Sequence, residues 1–295
     1  FCQGHFTDAH IELERAYAQV RDNGQINMAL CCDFLSRRLS LHTDVEQRYT
    51  FAERYAELLQ YHDATWINIW CATGAYYHAL RGEAEKIPEI FSQHRLSAVN
   101  MLAPGKPMME MIENQVYLAQ GAYAKVVGRS AELLAVCEAM HYALVALHIR
   151  IQTAAAYEKL GKTEEARVWL RKALADAESD GFVMPFVENY DCLQPILARE
   201  MKNELTVKIT DLGEAAMARN AASVRPAAFD VLTAREFEIV ELMVQRLSNR
   251  EIAEKLYLSE GSVKQYANQI YSKLHIDGDT RTKRKQLAEL LGQKP

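Results

Sequence analysis

The chain has 295 residues, 49% hydrophobic and 25% charged, with a formal net charge of −5. That is about two domains' worth of ordinary globular sequence, enough to bury a sizeable core. No run approaches the roughly 18 apolar residues of a membrane span, and the opening stretch FCQGHFTDAHIELERAY carries charge at amphipathic spacing where a signal core would be apolar, which points away from membrane insertion and secretion. The cysteines at 2, 31, 32, 71, 137 and 192 form no CxxC and no regular framework, so they read as reduced, mostly buried thiols of a cytoplasmic protein. The absent initiator Met reads as the mark of a fragment of something longer.

With 13 Gly and 7 Pro, none of the prolines before Pro88, the sequence is helical. Apolar residues recur at i, i+3, i+4 and i+7 from Ala9 to Leu291, while period-two alternation is almost absent, so a parallel sheet, a barrel and a sandwich all fit poorly. A self-similar unit then emerges. After Gly161, Ala166, Leu170 and Ala173 follow at fixed offsets, and after Gly4 the same offsets hold Ala9, Leu13 and Ala16. Gly121 leads Val126, Ser130 and Leu133, and Gly82 leads Ile87, Phe91 and His94, with one degenerate unit near Thr43. A turn followed by a helix with small residues flanking a large one admits a close neighbour. The pattern resembles tetratricopeptide repeats of about 39 residues, which predicts a curved array with an extended concave surface. The aromatics Trp66, Trp70, Tyr76, Tyr77, Tyr142 and Tyr157 then either fill the inter-repeat core or line an effector cavity.

The repeat domain is assigned to residues 1–220, a linker to 221–229 (within NAASVRPAAFDV) and a second domain to 230–295. Residues 228–295 carry a net +1 against −6 for the rest, and from Leu258 to Lys285 six basic side chains face three acidic ones. Thr233 with Glu236, and Ser248 with Glu251, fit the S/T-x-x-E capping box, and Ser259 is a third N-cap after the turn Leu256–Tyr257–Leu258. Short helix, tight turn and second helix predict a helix-turn-helix. On its second helix Val263, Ala267, Ile270 and Leu274 face the core, leaving Gly261, Lys264, Gln265, Asn268 and Ser272 outward, able to meet base edges or simply to be solvated. In the last helix, about Thr282 to Leu291, Leu287, Leu290 and Leu291 form an apolar strip with two open accounts: pairing with a second copy, or packing on the domain's own core.

The run LTAREFEIVELMVQRLSNREIAEKLYLSEGSVKQYANQIYSKLHI is similar over its whole length to the LuxR-type (GerE-type) helix-turn-helix, with LTxRE, SNxEIAxxL, LSxxSVK and IxxKL in order. The resemblance implies that Lys264, Gln265 and Asn268 meet bases, and that Asn249, Ser259, Ser262 and Lys273 sit where phosphates are held. It also implies that such domains pair through the last helix, matching two half-sites on DNA. Three positions depart from the family pattern. Tyr266 stands where histidine is usual, Ser262 where threonine is, and Arg246 where glycine is, so Arg246 is expected in a left-handed conformation at a cost of about 1 kcal/mol. Upstream, LGKTEEARVWLRKALADAESDGFVMPFVENYDCLQPIL resembles the last repeat of MalT-like large ATP-dependent LuxR-type regulators. Regulators of that kind carry a nucleotide-binding domain ahead of the repeats, but this chain has no G-x-x-x-x-G-K-[ST] and no G-x-G-x-x-G.

Enzyme readings find little to stand on. His5 with His10, Cys31 with Cys32, and Glu110 with Glu113 lack H-E-x-x-H or CxxC spacing, and no G-x-S-x-G occurs. The expectation is therefore no catalytic residue, no metal and no cofactor in this chain. The fold expected is all-α: a tetratricopeptide-like superhelix followed by a four-helix LuxR-type domain. The function expected is a cytoplasmic bacterial transcription regulator whose partners are promoter DNA and an effector or protein on the repeats. The alternative is a repeat scaffold for protein interaction with the C-terminal domain as an accessory tether.

Overall fold

The computed structural model describes residues 1–96, 103–223, 227–229, 231–256 and 258–291. Residues 224–226, 230 and 257, which the sequence places in the linker, at the domain start and in the turn, lie outside that set. Regular structure among the described residues is helical, without strands, and no described helix is long and apolar enough to cross a membrane. The chain divides into two compact units, Phe1–Ala221 and Ala222–Pro295.

The first unit contains α1 (Phe6–Asn23), α2 (Ile26–Ser40), α3 (Phe51–Leu58), α4 (Ala64–Leu80), α5 (Glu89–Ser92) and α6 (Lys106–Ala119). It continues through α7 (Tyr123–Ala139), α8 (Ala143–Lys159), α9 (Thr163–Glu178), α10 (Met184–Val187), α11 (Tyr190–Leu197) and α12 (Glu204–Ser223). Its regularity comes from its turns. All four anchor glycines have positive φ: Gly4 at 79°, Gly82 at 69°, Gly121 at 74° and Gly161 at 73°. Beyond α8, the Gly161 amide bonds to the Glu158 carbonyl at 2.9 Å and the Lys162 amide reaches back to Tyr157 at 3.0 Å, so the last carbonyls are satisfied where a Cβ would be strained. The Ala166, Leu170 and Ala173 that follow are completely buried. Between α7 and α8 the same turn is made by His141 (φ 56°), a residue that carries no turn signature in sequence.

Two segments depart from the expected repeat. After Gly82 the apolar spacing holds, with Ile87 and Phe91 buried, yet only a 3-10 turn and the four-residue α5 form there. Pro88 between them has no amide to donate and disfavours helical backbone in the residue before it. Near Thr43 the chain is irregular until Thr50 and Glu53 close a capping box (2.8 and 3.2 Å) that starts α3.

Helices α2, α4, α6 and α8 each touch the next, forming one row, and α1, α3, α7 and α9 lie against members of that row. Helices α10 and α11 pack on α8, and α12 lays Leu205, Ile209 and Leu212 on the same apolar cluster. Gly213 of α12 has the Tyr190 ring against it, where any Cβ would collide. The beginning of the unit meets the segment before α10: the Cys2 carbonyl accepts from the amides of Val183 (2.8 Å) and Met184 (3.0 Å), and Gln3 Nε2 donates to the Asp180 carbonyl at 2.8 Å. A cavity of about 420 Å³ is lined among others by Leu80, Gln115, Lys159, Asn189, Asp191 and Met217.

Polar side chains of the row converge on Glu188. Its carboxylate accepts from Arg38 Nε (2.7 Å) and Nη2 (2.8 Å) and from the Tyr76 hydroxyl (2.8 Å). Burial alone would drive this carboxyl toward its neutral form; Arg38 reverses that and holds it below the usual range. Gln152 Nε2 donates to Gln115 Oε1, and Gln115 Nε2 donates to Asn189 Oδ1, both at 3.0 Å. These contacts tie α6 and α8 to the segment between α10 and α11.

Helix α12 runs to Ser223, so residues 221–223 of the expected linker are helical. Ala-Ala-Ser holds nothing that breaks a helix before Pro226. The second unit has α13 (Ala234–Val244), α14 (Asn249–Leu256), α15 (Glu260–Lys273) and α16 (Thr280–Leu290) around a core that includes Phe229, Ile239, Val240, Ile252, Val263 and Ile270. Each such side chain contributes roughly 1.5–3 kcal/mol by leaving water.

Candidate nucleic-acid interface

Local chemistry sets the helix starts of the second unit. The Glu236 amide donates to Thr233 Oγ1 (3.2 Å) and the Thr233 amide to Glu236 Oε2 (2.7 Å), a complete capping box for α13. Ser248 and Glu251 repeat it for α14 at 3.3 and 2.7 Å. Backbone and side-chain hydrogen bonds from Ser248 hold the Glu251 carboxyl below its ordinary range. Ser259 accepts from the Ser262 amide at 3.0 Å to start α15. The turn into α14 follows a left-handed Arg246 (φ 66°), whose amide bonds to the Met243 carbonyl at 3.1 Å while Leu247 reaches Leu242 at 3.3 Å. Helices α14 and α15 are the two helices of the helix-turn-helix.

On α15, Val263 and Ile270 are completely buried and Ala267 nearly so, with Leu274 half-buried on the same core. Gly261, Lys264, Gln265, Asn268 and Ser272 are exposed together. The three expected base readers thus share one solvent-facing stripe, Lys264 and Asn268 one turn apart with Gln265 beside Lys264, on a helix fixed by its opposite face. Lys264 has no ion pair among the described residues; elsewhere in the unit Arg235 pairs with Glu238, Arg250 with Glu254 and Lys285 with Glu289. Among the described residues, Lys264, Arg246 and Lys255, like Lys283 and Arg284 beside Tyr271, carry charge without an acidic partner.

The expected phosphate contacts are less uniform. Asn249 is the first residue of α14 and half-buried; Ser259 is exposed but engaged as a cap, its Oγ lying 2.8 Å from Ser262 Oγ. Lys273 is committed elsewhere: its ammonium sits 2.8 Å from Glu236 Oε2, with the carboxylate side chain only 3% exposed. Burial opposes ionisation of Glu236, and hydrogen bonds from Lys273 and Thr233 outweigh it and hold the carboxyl below its usual range. Nothing in sequence signals this pair, since its members are 37 residues apart. Equally silent is Arg235, whose Nη2 donates to the Leu256 carbonyl at 2.8 Å and braces the end of α14.

The strip proposed for pairing is divided. Leu287 is completely buried and belongs to the domain's own core, so it is unavailable to a second copy; α16 turns it toward the cluster that α13 also fills. Leu291 packs partly on that core, and Leu290 alone stays exposed, at 39%.

The acid-base and ligand candidates of the first unit are separated or committed. Glu110 and Glu113 both close on Arg129, Cys31 is exposed while Cys32 is buried, and His5 lies against Lys208. Among the described residues no three His, Cys, Asp or Glu gather to hold a metal. Of the aromatics, Trp70 and Tyr76 are fully buried core residues.

Comparison with known proteins bears on the second unit. Residues 230–284 match the GerE family, described as bacterial regulatory proteins, luxR family. The chain is 46% identical over 50 residues to the transcriptional regulatory protein LnrK of Bacillus subtilis (strain 168), covering 17% of this chain and 23% of that one. It is 41% identical over 51 residues to the transcriptional regulatory protein DegU of Brevibacillus brevis, covering 17% and 22%. The chain therefore spans less than a quarter of the length of these curated relatives. No solved structure matches it. With cap, turn and outward stripe in sequence register with that family, residues 230–284 are a luxR-family, GerE-type helix-turn-helix domain.

Proposed function

We propose that this chain is a DNA-binding transcriptional regulator. The observation that carries the reading is the exposed stripe Lys264, Gln265 and Asn268 on α15, backed by buried Val263, Ala267 and Ile270, inside a luxR-family domain. In this reading α15 enters the major groove, where lysine donates to guanine and the amides pair with adenine edges. Asn249, Ser259 and Ser262 lie at the phosphates, and Lys273 reaches one only by leaving Glu236. Promoter DNA is the partner, bound by one chain or by two joined through Leu290.

The helical row of the first unit is, in the same reading, a tetratricopeptide-like sensor of the kind found in MalT-like regulators, taking an effector or protein partner. The cavity bounded by Gln115, Lys159, Asn189 and Asp191 supports this. No catalytic step, metal or cofactor is assigned to the chain. Selection of random duplex DNA by the full chain, with and without candidate metabolites, tests the whole reading. Enrichment of one sequence, altered by a metabolite that also slows hydrogen exchange around the cavity, is expected; recovery of unselected sequence refutes it.

A further inference from the structure

We propose that Arg246 is a phosphate contact of the domain, a charge maintained at the expense of the domain's own stability. The inference rests on the DNA-binding reading above. Arg246 occupies the left-handed position that ends α13, at φ 66°, with its amide and that of Leu247 tied back to Met243 and Leu242. That position favours glycine or asparagine, because a Cβ in the left-handed region crowds the backbone. Arginine has neither advantage. Its conformation is adverse and, in contrast to Arg235 and Arg250, its guanidinium has no acidic partner among the described residues although it is exposed. Among the described residues no ion pair of its side chain offsets the strain.

What the position does offer is placement. Arg246 stands two residues before Ser248, the cap of α14, and three before Asn249, on the segment that leads the first helix of the helix-turn-helix across the duplex backbone. The short turn fixes where the side chain starts, and five donors on a planar group suit a phosphate. In a stretch, residues 228–295, whose net charge is only +1, one unpaired cation at this edge is a sizeable share of the attraction to DNA.

The test sets stability against binding in the full chain. Arg246→Gly relieves the backbone and removes the charge, so amide exchange in α13 and α14 is expected to slow about fivefold. Affinity at about 0.1 M salt is expected to fall roughly eightfold on preferred and scrambled duplexes alike, with the salt slope reduced by about one. Arg246→Lys is expected to keep both affinity and slope. Unchanged affinity for Arg246→Gly, beside an unaltered chain that binds DNA, overturns the assignment and leaves the DNA-binding reading intact. A loss in Arg246→Lys as large as in Arg246→Gly also overturns it, by placing the effect outside the charge. An unaltered chain that binds no duplex defeats both.

Discussion

Glu188 is the point where the first unit is most exposed to a single atomic change. Replacing it with glutamine removes the negative charge and leaves the Arg38 guanidinium, whose side chain is 10% exposed, without its counter-ion. Breaking a buried ion pair from one side costs about 3–5 kcal/mol, because the remaining charge has neither water nor partner. With a denaturant dependence of about 3 kcal/mol per molar urea for a unit of this size, the midpoint should fall by roughly 1–2 M. All three tryptophans (66, 70 and 169) lie in the first unit, so their fluorescence reports its unfolding in the intact chain without interference from the second. The double replacement Arg38→Met with Glu188→Leu removes both charges and should recover most of the loss, since apolar groups of similar volume often replace a buried pair at little cost. A midpoint shift below about 0.3 M for Glu188→Gln, or a double variant as unstable as the sum of the single ones, would falsify the claim that this pair is desolvated and mutually dependent.

Three further outcomes are expected. Burial pushes His148 down to about 4, and Nδ1 of its ring has no hydrogen-bond partner among the described residues. The unfolded chain therefore binds a proton that the folded one refuses as pH drops from about 6.5 toward 4, which removes up to about 3 kcal/mol of stability. His148→Phe should shrink the difference between urea midpoints at pH 7 and pH 4.5, and equal differences in both proteins would exclude the mechanism. Lys264→Ala and Asn268→Ala should each lose about 1–3 kcal/mol on a preferred duplex and less on a scrambled one; identical losses on both would show that the stripe does not read bases. Leu287→Ala should destabilise the second unit by about 2–5 kcal/mol, while Leu290→Asp should change stability by less than about 0.5 kcal/mol and weaken cooperative DNA binding if copies pair there. Exchange rates and binding isotherms on both variants decide, and no effect of Leu290→Asp on either would remove α16 from any account of pairing.

The parts of this protein that sequence reveals are those whose causes are local. Capping boxes at Thr233 and Ser248 and the 3.6-residue return of Val263, Ala267 and Ile270 are each decided within a few residues, and each occurs where the spacing places it, while the left-handed turn at Arg246 is legible only through the family resemblance. The same holds for the glycine turns at 121 and 161. What escapes is long-range. Lys273 reads as a helix-end cation free for phosphate until Glu236, a full helix-turn-helix away in sequence, is seen to claim it. Leu287 and Leu290 have the same apolar character, and only the rotation of α16 on its core separates them. Glu188 lies 150 residues from Arg38 and 112 from Tyr76, and no periodicity marks a pairing of that kind.

The hydrogen bonds from Val183 and Met184 to Cys2 and from Gln3 to Asp180 join the first turns of the unit to the segment before α10, and Lys208 against His5 and Arg219 on Asp44 join its early part to α12, the last helix. A linear array of helical pairs with two loose ends can fray from either terminus, each pair depending only on its neighbours. Fastening the ends removes the cheap starting points for fraying, so opening any one pair strains the circuit as a whole. Amides in α1 and in α11 should accordingly exchange through the same opening event, and the unit should lose its structure in a single step rather than pair by pair.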